Sequence, residues 1–285
     1  MAGVAMRRRV TLAAAALLAL AGAGGAFALA PPEMTGPTAA QIVERNAQAR
    51  GGVPAWRRIE TMAWTGYAEN SNAPGRHVPF LLEQKRPGKT RFEVLEPSGM
   101  TSIRAYDGSA GWRQHPAAAG PPEVTSYADA ELSFARGAQV IDGPLMDYAA
   151  KGAIISLAGM DVLGGRRAYV LDARLPSGGL HRVWVDAVSF LELRHDREFH
   201  DGSGRIAVAT VRYRDYHVFE GLQMPVVIET GGDGQPVNRL VIERVALNPP
   251  IEDTAFVRPE AVTVRRGRIS VDTRGATAPD PARRP

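Results

Sequence analysis

Between residues 61 and 247 apolar and polar side chains keep alternating with a period of two. Successive side chains on a strand point to opposite faces, so this pattern predicts strands buried on one side only. The predicted strands are 61–69, 78–85, 90–96, 100–106, 111–114, 154–158, 167–175, 181–186, 190–199, 205–219, 224–230 and 238–247. Turn signals separate them: Asp107-Gly108, Gly164-Gly165, Ser177-Gly178-Gly179, Asp201-Gly202 and Gly231-Gly232-Asp233-Gly234. Short links of this kind join antiparallel neighbours, so the pattern predicts one long antiparallel sheet in a mainly β (α+β) chain.

Helical signals are few. Thr38 is placed to cap a helix reading AAQIVERNAQAR, which Gly51-Gly52 would stop. A short turn is expected over Pro54 to Ile59. A further helix is expected over 122–137, followed by a loop, IDGPLMDYAAKG. The body then spans 38–259, a size that suits one domain with a sizeable core. Residues 29–37 read as a linker. Residues 260–285 read as a basic, Pro/Ala-rich disordered tail.

Gly88-Lys89-Thr90 has the ending of a phosphate-binding loop. Such a loop needs Gly five positions before Gly88, with a helix after it. That position is Glu83, and the residues that follow, TRFEVL, alternate like a strand. A hairpin with loop Arg86-Pro87-Gly88 explains more. It pairs Leu82 with Phe92 and Phe80 with Val94 on one apolar face, and Glu83 with Arg91 on the other. Gly88 would take the left-handed position of a three-residue loop. No nucleotide binding is expected.

The N-terminus has a basic stretch, Arg7 to Arg9, an apolar run, Val10 to Leu20, and A-x-A sites ending at Ala28 and Ala30. This is the pattern of a secretory signal peptide over residues 1–28. The expected mature start is Leu29, or Pro31 if the second site is used, and the expected location is the periplasm. The chain has no Cys, so it has no disulfide, no thiolate metal site and no lipidated cysteine of its own. The formal charge of +4 is concentrated at the two ends. Without Arg7 to Arg9 it is near +1, and the stretch from Val262 carries +4, so the body is near −3. That balance argues against a nucleic-acid-binding body.

No constellation for catalysis stands out. Ser109 has Asp107 where a G-x-S-x-G elbow needs Gly, and no H-E-x-x-H is present. His195 and His200 differ by an odd number, so on a strand they point to opposite faces and make a poor metal pair. The run from His195 to Asp201 reads as a solvated strand entering a turn. No catalytic residue, metal site or cofactor is expected.

Several short motifs, taken in order, resemble the outer-membrane lipoprotein-sorting proteins of the LolA/LolB-like superfamily. They are Ala49-Arg50-Gly51-Gly52, Glu83-Gln84-Lys85-Arg86-Pro87, Gly99-Met100-Thr101, Ala105-Tyr106-Asp107-Gly108 and Gly111-Trp112. Asp142-Gly143-Pro144-Leu145 with Asp147-Tyr148, Trp184-Val185-Asp186 and Ser189-Phe190-Leu191-Glu192 follow. Gly221-Leu222-Gln223-Met224-Pro225 and Phe256-Val257-Arg258-Pro259 close the series. The resemblance implies a half-closed antiparallel β-barrel with helices over its concave face. It implies a monomeric carrier of lipid or lipoprotein acyl chains, with an inner-membrane donor complex and an outer-membrane acceptor as partners. Without a cysteine, the LolA-like carrier is a closer analogue than the anchored LolB-like receptor.

A chain of about sixteen carbons needs on the order of 12 kcal/mol of apolar shelter to leave a bilayer. The expected lining residues are Phe80, Leu82, Phe92 and Val94, with Met62 and Trp64 on the neighbouring strand, and also Ile103 and Trp112, although strand 100–106 is mixed on both faces. The same residues also suit an ordinary filled core. Two other functions remain open on the same fold: a periplasmic sensor that binds a membrane-protein partner, and a hydrolase with a dispersed site.

Overall fold

In this computed structural model the described residues are 36–117, 119–138, 141–176, 178–231 and 237–259. The expected signal peptide, nearly all of the linker, the basic tail and the Gly232 to Gly234 turn lie outside them. Among the described residues no helix is long and apolar enough to cross a membrane.

Helix α1 spans Ala39–Ala49. Thr38 and Gln41 form a reciprocal capping box at its start, which satisfies two N–H groups that the helix itself cannot. It stops at Arg50, where Gly51 and Gly52 follow with φ of 104° and 88°. A Cβ on Gly51 would collide with the Gly221 carbonyl oxygen, so the close approach of the two segments also requires Gly there. Helix α2, Val53–Arg57, has Pro54 in its first turn and buries Trp56.

The strands follow: β1 Thr61–Asn70, β2 Ala73–Lys85, β3 Lys89–Leu95, β4 Thr101–Tyr106, β5 Gly111–His115 and β6 Glu123–Ser126. After α3, Asp129–Arg136, come β7 Ile154–Leu163, β8 Arg166–Arg174, β9 Leu180–Asp186, β10 Glu192–His200, β11 Ile206–Phe219, β12 Leu222–Thr230 and β13 Asn238–Leu247. They form one antiparallel sheet in the order β6-β5-β4-β3-β2-β1-β13-β12-β11-β10-β9-β8-β7. β1 pairs with β13, so the first and last strands meet in the middle, and β6 and β7 are left as open edges. The sheet is a half-open barrel with helices on one face.

The hairpin register is the expected one: Leu82 faces Phe92, Phe80 faces Val94 and Glu83 faces Arg91. The loop conformation differs. The Arg86–Pro87 peptide is cis, and Gly88 is not in the left-handed region. The helix expected over 122–137 is two elements. Val124 and Thr125 pair with Gln114 and Arg113 as edge strand β6, and the helix begins only at Asp129. Neighbouring strand β5 overrides the local helical pattern there. β2 starts five residues before its expected first residue, Val78, and β7 runs on to the Gly164-Gly165 turn. β10 begins at Glu192 because Phe190 sits at φ 58°. Opposite Thr65 and Gly66 an extra residue, Glu243, bulges β13, and Gly66 packs directly on the Val241 carbonyl.

Apolar side chains on the concave face form the main core. Met62, Phe80, Met224, Ile242 and Val245 pack beneath Trp56, Ile141 and Met146. A second cluster places Ile42 and Val43 of α1 on Leu171, Val183 and Val185. The convex face holds a different set. Glu83, Arg91 and Glu93 alternate there, and the chain end crosses them. Arg91 donates to the Ala255 carbonyl, Lys85 donates to the Ile251 carbonyl, and Lys85 and Lys89 both meet Asp253 at 2.9 Å. Lys89 of the Gly-Lys-Thr stretch thus fastens the C-terminal segment of the body.

Candidate functional site: the concave face and its lid loop

Six of the eight expected lining residues share the concave face. Trp64 stands opposite Leu82, Leu82 opposite Phe92 and Phe80 opposite Val94, while Met62 faces Gln84. The Phe80 and Phe92 rings lie 5.7 Å apart. Phe80 and Met62 are fully buried and act as closed core. Trp64, Leu82, Phe92 and Val94 are only partly buried and keep free apolar surface. Ile103 and Trp112 are on the other side of the sheet. Ile103 pairs with Glu93, and Trp112 pairs with Ala105, which faces Arg91. They form a convex cluster with Ala105 and Val124, and Trp112 Nε1 donates to the Phe256 carbonyl at 2.9 Å.

A cavity of about 170 Å³ lies in the concave face. Trp64, Met224 and Ile228 form apolar parts of its wall, Trp56 and Ile141 come from the covering segments, and Arg50, Glu192 and His195 add polar groups. Tyr213 and Tyr216 both reach it because Asp215, at φ 52°, breaks the alternation of β11. The indole N–H of Trp64 and the Gln84 side-chain carbonyl are buried without partners in the described structure.

The covering segment is held down by ions. Arg50 Nη1 meets Glu192 at 3.0 Å, with both side chains under a tenth exposed, and also donates to the Asp142 carbonyl. Its guanidinium stacks on Trp56 at 4.6 Å. The Asp142 carboxylate accepts from Arg86 at 2.8 Å and from Lys151 at 2.7 Å. Lys151 also donates to the Gly143 and Met146 carbonyls, and burial lowers its pKa despite Asp142. Arg57 and Asp147 make a two-pronged pair at 2.6 and 2.7 Å, which holds Asp147 below the usual carboxylate range. The loop from Ile141 to Gly152 is thus locked onto α1, α2 and the β2–β3 hairpin.

Four of the ordered motifs meet in this lock. Arg50 belongs to Ala49-Arg50-Gly51-Gly52, Arg86 to the Lys85-Arg86-Pro87 stretch, Asp142 to Asp142-Gly143-Pro144-Leu145 and Glu192 to Ser189-Phe190-Leu191-Glu192. Sequence reasoning quoted these residues but gave them no role. Other motifs are joints. Asp186 Oδ1 accepts from the N–H groups of Val188 and Ser189, Asp107 Oδ1 accepts from Ser109 and Ala110, and Gln223 N–H donates to the Arg50 carbonyl.

The 195–201 stretch is not a uniformly solvated strand. Arg194 and Asp196 pair on the convex side, but His195, Arg197 and Phe199 face inward. His195 Nε2 lies 2.9 Å from Nδ1 of the fully buried His181. Burial pushes His181 down to about 4 and His195 to about 3, so both are neutral at pH 7. The odd spacing within β10 hid this pair, because its partner is on β9. Among the described residues no group of three metal-ligating side chains comes together.

No protein-family model and no curated protein matches the chain. Solved structures do. An outer membrane lipoprotein-sorting protein domain from Vibrio parahaemolyticus is 15% identical, covers 75% of this chain and 94% of its own, and superposes with a TM-score of 0.50. A LolA superfamily protein from Nitrosomonas europaea is 17% identical over 78% of this chain and 99% of its own, with a TM-score of 0.49. A DUF1329 family protein from Desulfovibrio piger is 13% identical over 75% and 97%, at 0.47. At such identities likeness speaks for architecture alone, and the Vibrio match carries it: with its half-open sheet and the helices on its concave face, the chain has the fold of that lipoprotein-sorting domain.

Proposed function

We propose that this chain is an exported, periplasmic binder of acyl chains that carries lipid or a lipidated protein toward the outer membrane. The observation that supports this is the partly exposed apolar row Trp64, Leu82, Phe92 and Val94 beside a cavity under an ion-locked loop. Ligand pockets for molecules of drug size enclose roughly 300–1,000 Å³. At about 170 Å³ the cavity is smaller, so an acyl chain enters only when the loop from Ile141 to Gly152 lifts. Freed of their locks, Arg86, Asp142 and Lys151 regain water, which offsets part of the cost of opening. Among the described residues the cavity wall includes no Ser, Thr or Cys nucleophile, and its Glu192 is already held by Arg50. The lipoprotein-sorting description of the Vibrio relative agrees with this reading.

Native mass spectrometry of protein purified from its own host, before and after lipid extraction, tests the proposal. A bound mass that extraction removes and that contains acyl chains is expected. Protein that carries no such mass and does not bind a fluorescent fatty acid would overturn it.

A further inference from the structure

Among the described residues one cation, at the β9–β10 side of the concave face, has no counterion. Arg197 is 7% exposed, and no carboxylate pairs with it among the described residues. Its guanidinium lies 4.0 Å from the Phe134 ring centre, and its Nη1 is buried without a hydrogen-bond partner. Burial lowers its pKa to about 10, which still leaves it charged at pH 7. Taking a guanidinium out of water without an anion is costly, so a chain that places one there gains by receiving an anion. The C-terminal end of α3 lies beside it, with Gly137 against the guanidinium. That end supplies roughly half a negative charge, less than a full counterion.

His181 stands directly opposite Arg197 in the β9–β10 ladder. It is fully buried, and its Nε2 also lacks a partner. Its Nδ1 is engaged by His195 Nε2. When His195 Nε2–H donates across that contact, neutral His181 carries its proton on Nε2. Two unspent donors, one of them charged, then stand on adjacent strands of the same face. This arrangement suits a carboxylate or phosphate oxygen. His195, which contacts His181, also walls the cavity that Trp64 lines, so the pair stands next to the wall opposite the apolar row.

We infer that the concave face takes an anionic amphiphile, an acyl chain ending in a carboxylate or a phosphate, with Arg197 and His181 holding the charged end. The inference rests on the acyl-chain reading of the same concavity and narrows it to one class of ligand.

The test compares cis-parinaric acid, a fluorescent fatty acid, with its uncharged methyl ester on the full chain. The acid should bind about tenfold or more tightly than the ester, as a charge-assisted hydrogen bond implies. Arg197→Met should erase that preference while ester binding persists. Displacement of the acid by dodecyl phosphate or by dodecanoate then shows which head group is preferred. Equal binding of acid and ester by the wild type overturns the anion site and leaves the acyl reading standing. If neither binds, the acyl reading fails, and the anion site is read separately from the imidazole NMR signals of His181 and His195 during titration with inorganic phosphate and butyrate. Signals that move in the wild type sustain it, and signals that stay still overturn it. Should Arg197→Met fail to fold, the acid–ester comparison on the wild type decides alone.

Discussion

The two faces of the β2–β3 hairpin use the same strands for opposite tasks. On the concave side Phe80, Leu82, Phe92 and Val94 of β2 and β3 are apolar, and the ion pair that closes the same face from α1 and β10 is dry: Arg50 and Glu192 are each under a tenth exposed. On the convex side of β2 and β3 Lys85, Lys89 and Arg91 grip the chain end, and their surroundings are wetter. Asp253, which joins Lys85 and Lys89, is 62% exposed. Ion pairs of similar length therefore have different energetic weight. A dry pair is costly to break because its surviving member stays buried, whereas water readily replaces a wet one.

The largest effect is expected inside. Glu192→Leu leaves Arg50 buried beside a hydrocarbon, and urea denaturation should show a loss of about 3–5 kcal/mol. Asp253→Ala on the convex side should leave the same curve within error. Equal losses would erase the distinction between dry and wet ions.

Ligand binding separates the faces next. Leu82→Glu puts a carboxylate on the concave apolar row, where burial without a partner costs several kcal/mol unless water reaches it. In an open concavity the protein should stay folded and lose binding of a fluorescent fatty acid. Glu83→Leu, its neighbour on the convex face, should keep that binding. A Leu82→Glu chain that does not fold would make this row closed core, and one that folds and binds normally would remove the row from the site.

Acid should weaken the concave side in a graded way. His181 and His195 titrate at about 4 and about 3, chiefly because burial disfavours the charged ring, with Arg197 adding repulsion to both. Unfolded, each would titrate near 6.5, so between roughly pH 6.5 and 4 the unfolded chain holds more protons. Stability then rises with pH across that window and falls on acidification, by on the order of 1.4 kcal/mol per pH unit for each imidazole. Replacing both with Gln should flatten the dependence. An unchanged slope would mean that other groups carry it.

The smallest effect belongs to the convex apolar cluster. Trp112→Phe removes the hydrogen bond to the Phe256 carbonyl and should cost about 1 kcal/mol in a thermal melt. Fatty-acid binding should not change. Reduced binding at unchanged stability would return Trp112 to the candidate site.

Local rules placed much of the sheet. Period-two alternation located most strands, the Thr38 box and the glycine pair bounded α1, and matching apolar faces set the β2–β3 register before any fold was known. Those signals are local: they depend on chain geometry and on neighbours within a few residues. They failed where a partner from elsewhere decided. Edge strand β6 forms by pairing with β5, and His195 turns inward to meet His181 on β9.

The same limit divides the candidate site. The sequence by itself determined that Phe80, Leu82, Phe92 and Val94 share an apolar face and that Glu83 and Arg91 oppose it, because alternation along a strand admits no other arrangement. Only the tertiary structure decided which face is concave, which residues on it stay partly uncovered, and that Ile103 and Trp112 belong to the other side. It also brought Arg50 to Glu192, 142 residues away, and Arg86 to Asp142, 56 residues away. Each of those charges alone reads as an ordinary surface residue. The folded sheet makes them a lock by bringing both members of each pair to the covered face, where mutual attraction and hydrogen bonds offset the loss of water.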